Sequence, residues 1–250
     1  GEFIATSFKL EVGHPPGAPL FMMLARFFAV FAGNDTSQVA KMVNAMSGLA
    51  SAFTILFLFW TITHLARRIF LKEEKDYTLA KSIAVLGSGL VGALSYAFSD
   101  TFWFSAVEGE VYATSSLFTA VVFWAILKWE EEADDPRSGR WIILIAYIMG
   151  LGLGVHRLNL LVLPVLVFVY YFRKYEISTK GVLKTLLLAV ALIGLRVFIL
   201  IPGVPKAAGW FELLFVNVAG LPYNTGLLVF VAAVVAGLVF SIRYSLKKNR

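Results

Sequence analysis

The chain has 250 residues, of which 59% are hydrophobic and 15% are charged. Soluble domains carry about 25% charged residues, so this chain has too few charges to cover a globular surface, and lipid must cover much of it. Cysteine is absent, which excludes disulfides, thiolate catalysis, zinc–thiolate sites and iron–sulfur clusters. The formal net charge of +6 does not indicate a nucleic-acid partner, because the basic residues are sorted by membrane side.

The first element in chain order is a short apolar stretch, Pro19–Ala32, which is interrupted by Arg26. This pattern predicts an amphipathic helix that lies at the membrane interface. The segment His14-Pro15-Pro16-Gly17 precedes it, and two consecutive prolines predict a rigid turn that holds His14 in a defined place. A loop that only ends one element and starts the next is the alternative.

Seven longer apolar segments follow, and a bilayer core takes roughly 20 apolar helical residues to cross. The segments are Met42–Thr63, Ser82–Ser99, Val111–Leu127, Trp141–Val155, Leu158–Phe172, Thr185–Val204 with Arg196 inside it, and Leu213–Ile242. The last one contains the turn signal Leu221-Pro222-Tyr223-Asn224, so its helix should begin near Asn224. The predicted fold is all-α, a polytopic membrane helical bundle with about seven transmembrane helices and the interfacial helix, forming a single transmembrane domain over 1–250.

The basic residues support this count. Seven spans place 16 of the 22 Lys and Arg residues on one side, in the segments 67–81, 128–140, 173–184 and 243–250. The positive-inside rule assigns that side to the cytoplasm. The mixed-charge runs Lys72–Asp76 and Glu130–Asp135 are interpreted as solvated cytoplasmic connectors.

The hairpin formed by Trp141–Val155 and Leu158–Phe172 has short arms. Fifteen helical residues rise about 22 Å, which is less than a core of about 30 Å. The turn Val155–Asn159 is therefore predicted to lie below the outer surface, where polar groups must face a cavity or a partner. In that turn, His156 and Arg157 suit a phosphate group, because arginine offers a planar fork of donors; a snorkelling arginine is the alternative. Arg196 has the same two interpretations, a contact with a lipid phosphate or a snorkelling side chain.

Two carboxylates, Glu108 and Glu110, stand at the outer start of the third span, and no Lys or Arg lies between Lys81 and Lys128. The functional interpretation is a general base or a metal ligand in a cavity near the membrane surface. The alternative is that they only complement the helix macrodipole. No phosphate-binding glycine loop, dinucleotide fingerprint or zinc-protease helix motif occurs in the chain.

Three segments together resemble a known family. They are Gly1–Ser7 running into Val12–Pro19, then Val107-Glu108-Gly109-Glu110-Val111-Tyr112, then Gly154-Val155-His156-Arg157-Leu158-Asn159. In this order they resemble a family of multi-span membrane proteins common among Bacteroidetes-type bacteria, which is similar to the eukaryotic membrane O-mannosyltransferases of the GT-C superfamily. The resemblance covers nearly the whole chain, and His-Pro-Pro-Gly-Ala-Pro is its most specific element.

The resemblance implies an inverting glycosyltransferase that uses a polyprenyl-phosphate sugar donor and works at the external face, here the periplasmic face of a bacterial inner membrane. On that template Glu2, Glu108 and Glu110 are the catalytic acids. The residues implied for the lipid phosphate or the acceptor, which would be a protein or a glycan, are His14, His156, Arg157, Asn159 and Arg196. No cofactor is implied, no metal ligands are assigned, and a divalent metal is left as an alternative.

The family pattern also carries a first transmembrane helix and an aspartate shortly before the Gly-Glu-Phe element. We therefore expect the chain to be a fragment that lacks this helix and a C-terminal portion, in which case the base could lie before Gly1. A transporter or flippase and a non-catalytic membrane subunit are the other functions considered. A transporter usually places polar groups near the midplane and shows repeated halves, whereas the candidate residues here gather at one face.

Overall fold

A computed structural model describes residues 1–14, 17–71 and 78–248. The predicted turn at Pro15-Pro16 and the predicted connector Lys72–Asp76 lie outside the described residues. The described part of the chain is helical and contains no strand, so the predicted all-α class is confirmed.

Eleven α-helices occur within the described ranges. They are α1 (Glu2–Lys9), α2 (Pro19–Ala29), α3 (Val39–Phe70), α4 (Leu79–Ala97), α5 (Asp100–Val107), α6 (Val111–Glu131), α7 (Gly139–Leu153), α8 (Leu163–Lys174), α9 (Thr179–Gly194), α10 (Ile201–Leu213) and α11 (Thr225–Lys248). Short 3-10 turns at Val30–Ala32, Thr36–Gln38 and Arg157–Val162 and π-helical turns at Leu195–Leu200 and Leu214–Val218 connect some of them. The sequence analysis did not predict α1 and α5.

Five helical segments in the described residues are long and apolar enough to cross a membrane. They are Thr36–Phe70, Leu79–Ala97, Val111–Glu131, Thr179–Val218 and Thr225–Tyr244. The two arms of the predicted hairpin form the shorter helices α7 and α8, of 15 and 12 residues. The predicted polytopic helical bundle is therefore confirmed, and the arms of the hairpin are short, as predicted.

The chain divides into two compact units, Gly1–Leu186 and Leu187–Arg250. In the first unit α3 and α6 run parallel, because Asn44 and Gly109 meet near their starts and Arg68 and Glu130 pair near their ends. The face of α3 that is buried carries small residues, including Ser47, Ala50 and Ser51. Small side chains let membrane helices approach closely. The packing of α3 against α6 therefore sets the position of one end of the unit relative to the other.

One end of the first unit holds a cluster of ion pairs, which we call the charged end. Arg68 Nη1 lies 2.6 Å from Glu130 Oε2, and Arg140 Nη2 lies 2.7 Å from Glu132 Oε2. Arg173 donates to the Asp134 carboxylate and, through Nε, to the Glu130 carbonyl at 3.2 Å. The ends of α3, α6 and α8 meet here. The structure thus brings together the segments 67–71, 128–140 and 173–174, which the distribution of basic residues places on one side.

The helical structure that begins at Thr179 continues through Val218. The prediction that this span ends near Val204 is therefore wrong, because the turns at Leu195–Leu200 and Leu214–Val218 widen the helix without ending it. The prediction that the last helix begins near Asn224 is confirmed. Glu212 accepts hydrogen bonds from the backbone N–H groups of Asn224 at 2.5 Å and Leu227 at 2.9 Å, so it satisfies donors at the start of α11.

Candidate functional site

The short helix α1 presents Glu2 to His14 at the end of the first unit opposite the charged end. The backbone N–H of His14 donates to Glu2 Oε1 at 2.8 Å, and His14 Nδ1 lies 2.9 Å from Glu2 Oε2. These hydrogen bonds, first from the His14 backbone and then from its ring, lower the pKa of Glu2. The ring of Phe3 lies 5.5 Å from that of His14. Both oxygens of Glu2 are therefore engaged in holding His14.

Helix α1 is in turn held by α2. Arg26 Nη1 donates to the Phe8 carbonyl at 2.7 Å, and its guanidinium lies 5.2 Å from the Phe8 ring centroid. Cations are favourable at a helix C-terminus because unpaired carbonyls gather there. Arg26, the charged residue that interrupts the apolar stretch Pro19–Ala32, thus caps the C-terminal end of α1.

The first turn of α2 contacts the turn that carries His156. The N–H groups of Leu20 and Phe21 both donate to the Gly154 carbonyl, at 2.8 and 3.3 Å. Gly154 fits against Leu20 so closely that a Cβ there would lie 3.0 Å from Leu20 Cβ. This contact joins the residues that directly follow Val12–Pro19 to the segment Gly154–Asn159, although the two are far apart in sequence.

The carboxylates Glu108 and Glu110 stand in the turn between α5 and α6. The N–H of Glu110 donates to the Glu108 carbonyl at 2.9 Å, and Gly109 between them lies against Ile4 and Asn44. Burial, and next the neighbouring charge of Glu108, raise the pKa of Glu110. A raised pKa makes a carboxylate a stronger proton acceptor, which is the property required of a general base.

His156 and Arg157 begin the 3-10 turn that follows α7. His156 Nδ1 accepts a hydrogen bond from the Leu158 N–H at 3.2 Å, and its ring lies 5.4 Å from the ring of Tyr112. Burial, and then the charge of Arg157, lower the pKa of His156. The lowered pKa favours the neutral ring, in which Nδ1 accepts and Nε2–H is the remaining donor. The Arg157 side chain is exposed and makes no ion pair with any residue that the structure describes.

Asn159 lies in the same turn and is held by side chains and backbone of the neighbouring helices. Its side chain is buried, its Oδ1 accepts from Ser115 Oγ at 2.9 Å and Thr119 Oγ1 at 3.0 Å, and its Nδ2 donates to the Gly152 carbonyl at 3.1 Å. These bonds tie the 3-10 turn to α6 and to the end of α7. Asn159 therefore anchors the turn that carries His156 and Arg157, and a contact of its own with a phosphate stays a prediction.

A hollow of about 220 Å³, which we call the charged cavity, lies at this end of the first unit. Its lining residues are Phe3, His14, Gly17, Ala18, Glu110, Val111, Tyr112, Leu153, Val155, His156 and Arg157. One carboxylate of raised pKa, two imidazoles and one guanidinium thus share a small space. Such a set can accept a proton and bind an anion at the same place.

Two larger hollows adjoin the charged cavity at Tyr112. The apolar groove, of about 670 Å³, runs along α3 and α6 and is lined by Thr54, Leu58, Thr61, Ile62, Leu65, Tyr96, Tyr112, Ser115, Ser116, Thr119, Ala120, Phe123, Leu158 and Leu161. The acidic cleft, of about 650 Å³, is lined by Tyr96, Asp100, Thr101, Phe102, Phe104, Ser105, Glu108, Tyr112 and Ser116. Tyr112 lines all three hollows, so it stands where they meet.

The structure therefore gathers most of the predicted site residues at one end of the first unit. Glu110, His14, His156 and Arg157 share the charged cavity, Glu2 holds His14, and Glu108 faces the acidic cleft. Arg196 belongs to the second unit, in the π-helical turn Leu195–Leu200, and its role stays a prediction. Within residues 1–14, 17–71 and 78–248, no three His, Asp or Glu side chains are grouped so that they could hold a metal ion.

Sequence reasoning assigned no role to Tyr112, Ser115 or Thr119. Tyr112 lies inside one of the three quoted segments, and this was the only sequence signal for it. Ser115 and Thr119 are four residues apart in an apolar span, so they share one face of α6. That polar pair indicates a buried hydrogen-bonding partner, which the structure identifies as Asn159.

Comparisons with known proteins show similarity to protein O-mannosyl-transferases. The family model for the protein O-mannosyl-transferase TMEM260 N-terminal domain matches residues 1–179. The chain is similar to protein O-mannosyl-transferase tmem260 of Dictyostelium discoideum, with 24% identity over 216 residues that cover 82% of this chain and 24% of that protein. It is similar to protein O-mannosyl-transferase TMEM260 of Mus musculus, with 26% identity over 204 residues that cover 81% of this chain and 26% of that protein.

The chain thus spans about a quarter of the length of these curated relatives. No solved structure matches it.

Proposed function

The chain belongs to the family of the protein O-mannosyl-transferase TMEM260 N-terminal domain, and on that premise we propose that it is the membrane part of a GT-C-type glycosyltransferase. The enzyme transfers a mannose-like sugar from a polyprenyl-phosphate donor to a hydroxyl group, on a protein in the first instance and on a glycan as the alternative. The observation that carries the proposal is the charged cavity, where Glu110, His14, His156 and Arg157 meet beside an apolar groove.

Glu110 is the general base of the proposed reaction. Its raised pKa makes it a better proton acceptor than Glu2, whose pKa is lowered and whose two oxygens already accept from His14. The acceptor hydroxyl loses its proton to Glu110 while its oxygen attacks the anomeric carbon of the sugar. The bond from that carbon to the phosphate oxygen breaks, and the polyprenyl phosphate leaves with the electron pair, so the configuration is inverted.

The leaving phosphate gains negative charge, and His156 and Arg157 are suited to stabilise it. Arg157 offers a fixed charge with several donors, and neutral His156 offers Nε2–H. Donors that are already in place where charge develops contribute strongly to catalysis. In this arrangement Glu2 positions His14, and Asn159 positions the turn that carries the phosphate-binding pair.

The apolar groove supports a lipid-linked donor. It lies along two helices that are long and apolar enough to cross a membrane, and its lining contains no charged side chain, although seven of the fourteen lining residues carry a hydroxyl group. An isoprenoid chain in this groove would put its phosphate near Tyr112, where the charged cavity begins. We place this end of the bundle at the periplasmic face of a bacterial inner membrane, because the charged end carries the segments that the positive-inside rule assigns to the cytoplasm.

The test is a transfer assay with the complete protein in lipid nanodiscs and polyprenyl-phosphate mannose as the donor. Replacing Glu110 with Gln removes the base, and we expect the turnover rate to fall by about 10²-fold to 10⁴-fold. Glu11→Gln is the matched control, since Glu11 lies on the same side and outside the charged cavity, and it should keep the wild-type rate. The wild-type rate should rise with pH through the raised pKa of Glu110, and Glu110→Gln should lose that dependence.

A folded wild-type protein that neither transfers nor hydrolyses any lipid-linked sugar would contradict the transferase and favour a transporter, a flippase or a non-catalytic subunit. Turnover that is unchanged in Glu110→Gln would remove Glu110 from the base role while leaving the transferase intact. Addition of a chelator in the same assay separates a metal-dependent reaction from one that the side chains perform alone.

A further inference from the structure

We propose that the acidic cleft binds the acceptor as an extended polypeptide segment with a basic residue close to the hydroxyl that receives the sugar. This assignment presupposes the transferase activity proposed above and names the acceptor side of the same site. Three properties of the cleft carry it: its shape, its charge and its position relative to Glu110.

The shape of the cleft fits an extended ligand. The cleft has about 650 Å³, roughly three times the volume of the charged cavity. It continues past Asp100 and Phe104, which also line a further hollow of about 570 Å³ along the outer side of α5. Phe104 is 64% exposed, so the cleft opens to the surface of the protein. A continuous open trough suits a segment of chain better than a single sugar ring, which the charged cavity can enclose.

The charge of the cleft is negative. Asp100 and Glu108 line it, and none of its lining residues is Lys or Arg. The nearest basic residues in the sequence are Lys81 and Lys128. Clefts of one sign attract and orient ligands of the opposite sign. The cleft should therefore prefer a segment that carries lysine or arginine, and it should disfavour the anionic phosphate of the donor.

The position of the cleft places its occupant beside the proposed base. Glu108 lines the acidic cleft and Glu110 lines the charged cavity, although only Gly109 separates them in the chain. Tyr112 borders both hollows and the apolar groove. A hydroxyl on a segment in the cleft can thus approach Glu110 past the ring of Tyr112, while the donor reaches the same point from the groove.

The experiment uses the complete protein in nanodiscs, polyprenyl-phosphate mannose and two synthetic threonine peptides that differ only in having lysine or glutamate beside the threonine. We expect a lower KM for the lysine peptide. Asp100→Asn should raise the KM of the lysine peptide about threefold to fivefold, as for loss of a partly exposed ion pair. It should lower the KM of the glutamate peptide, because it removes a repelling charge, and should leave the KM of the donor unchanged. Asp35→Asn is the control, because Asp35 is exposed outside the cleft.

Phe104→Ala should raise the KM of both peptides, since it removes one wall of the cleft. Binding of the fluorescent lysine peptide, measured by anisotropy without donor, gives the same comparison independently of turnover. Binding of the lysine peptide that is weakened by Asp100→Asn in a protein without transfer would show that the cleft binds the peptide although the proposed function fails, and would overturn its assignment as an acceptor site. Peptide KM and binding that are unchanged in both variants would overturn it, and α5 would then be an aromatic anchor in the headgroup layer. A change in donor KM alone would also overturn it and give the cleft to the donor.

Discussion

At the residue scale, Asn159 is the side chain that fixes the geometry of the charged cavity without lining it. It satisfies the hydroxyls of Ser115 and Thr119 and the carbonyl of Gly152 in a buried place. Polar groups that lose their partners in a buried place cost about 1–3 kcal/mol. The turn that follows α7 is thus held by side-chain bonds, in a region where the backbone is not part of a regular α-helix.

Replacing Asn159 with Leu keeps the approximate size and removes these bonds. We expect the free energy of unfolding to fall by about 1–3 kcal/mol, and the donor KM to rise more than the acceptor KM, because the turn carries His156 and Arg157. Thermal unfolding in detergent and the two KM values measure these effects. Asn34→Leu, at an exposed position, is the control and should change neither. A lower stability with an unchanged donor KM would show that Asn159 serves the fold alone.

The sequence could place most of these residues on one side of the membrane, and it could not show their partners. The segment Gly154–Asn159 marks Asn159 as important, but the direction of its amide depends on Ser115 and Thr119, which lie some forty residues earlier. The pairing of Glu2 with His14 depends in the same way on how the chain turns between them. Hydropathy and charge predict how deep in the membrane a residue lies and on which side, whereas its hydrogen-bond partners depend on how the helices pack.

At the scale of elements, the turn between α5 and α6 is positioned by contact with α1 and α3. A Cβ on Gly109 would lie 2.8 Å from Ile4 Cγ1 and 3.0 Å from Asn44 Oδ1. These distances are shorter than ordinary contacts, so a side chain there forces the turn or the side chains of Ile4 and Asn44 to shift. The turn carries Glu108 and Glu110, and its close approach to α1 keeps Glu110 in the charged cavity.

Gly109→Ala tests this contact. Overpacking of this kind costs about 1–3 kcal/mol, and we expect a lower unfolding temperature together with a lower kcat, because Glu110 moves with the turn. Gly87→Ala is the matched control, since no atom lies within 4 Å of a Cβ at that position of α4. It should be neutral or stabilise the helix by about 0.5–1 kcal/mol. Equal unfolding temperatures and rates for the two variants would contradict the role of the contact.

The elements that sequence reasoning missed are the short helices α1 and α5, of eight residues each. Isolated helices of this length are not stable in water, and no apolar run of spanning length marks them. Helix α1 forms because Phe3 and Ser7 are buried against the unit and Arg26 satisfies a carbonyl at its end. The long spans, in contrast, follow from their own composition, and the sequence was sufficient to predict them.

At the scale of the whole molecule, the distribution of basic residues and the packing of the first unit indicate the same orientation, in which the charged end and the charged cavity lie at opposite membrane surfaces. The charged end brings Arg68, Glu130, Asp134 and Arg173 together, and the charged cavity lies at the other end of α3 and α6. Exposed ion pairs add little stability. Their arrangement is therefore better explained by the need to keep charges outside the hydrocarbon core, at one surface of the membrane.

These 250 residues contain no cysteine, so a cysteine introduced into them can be labelled to measure on which side of the membrane it lies. Asn34→Cys lies in the exposed turn between α2 and α3, and Arg137→Cys lies in the exposed turn between α6 and α7. In spheroplasts, a membrane-impermeant maleimide should label Asn34→Cys and should reach Arg137→Cys only after the membrane is permeabilised. The two positions control each other, because the same reagent must give opposite results. Labelling of Arg137→Cys in intact spheroplasts would invert the orientation and put the charged cavity in the cytoplasm, where a lipid-linked donor would have to be presented from the inner leaflet.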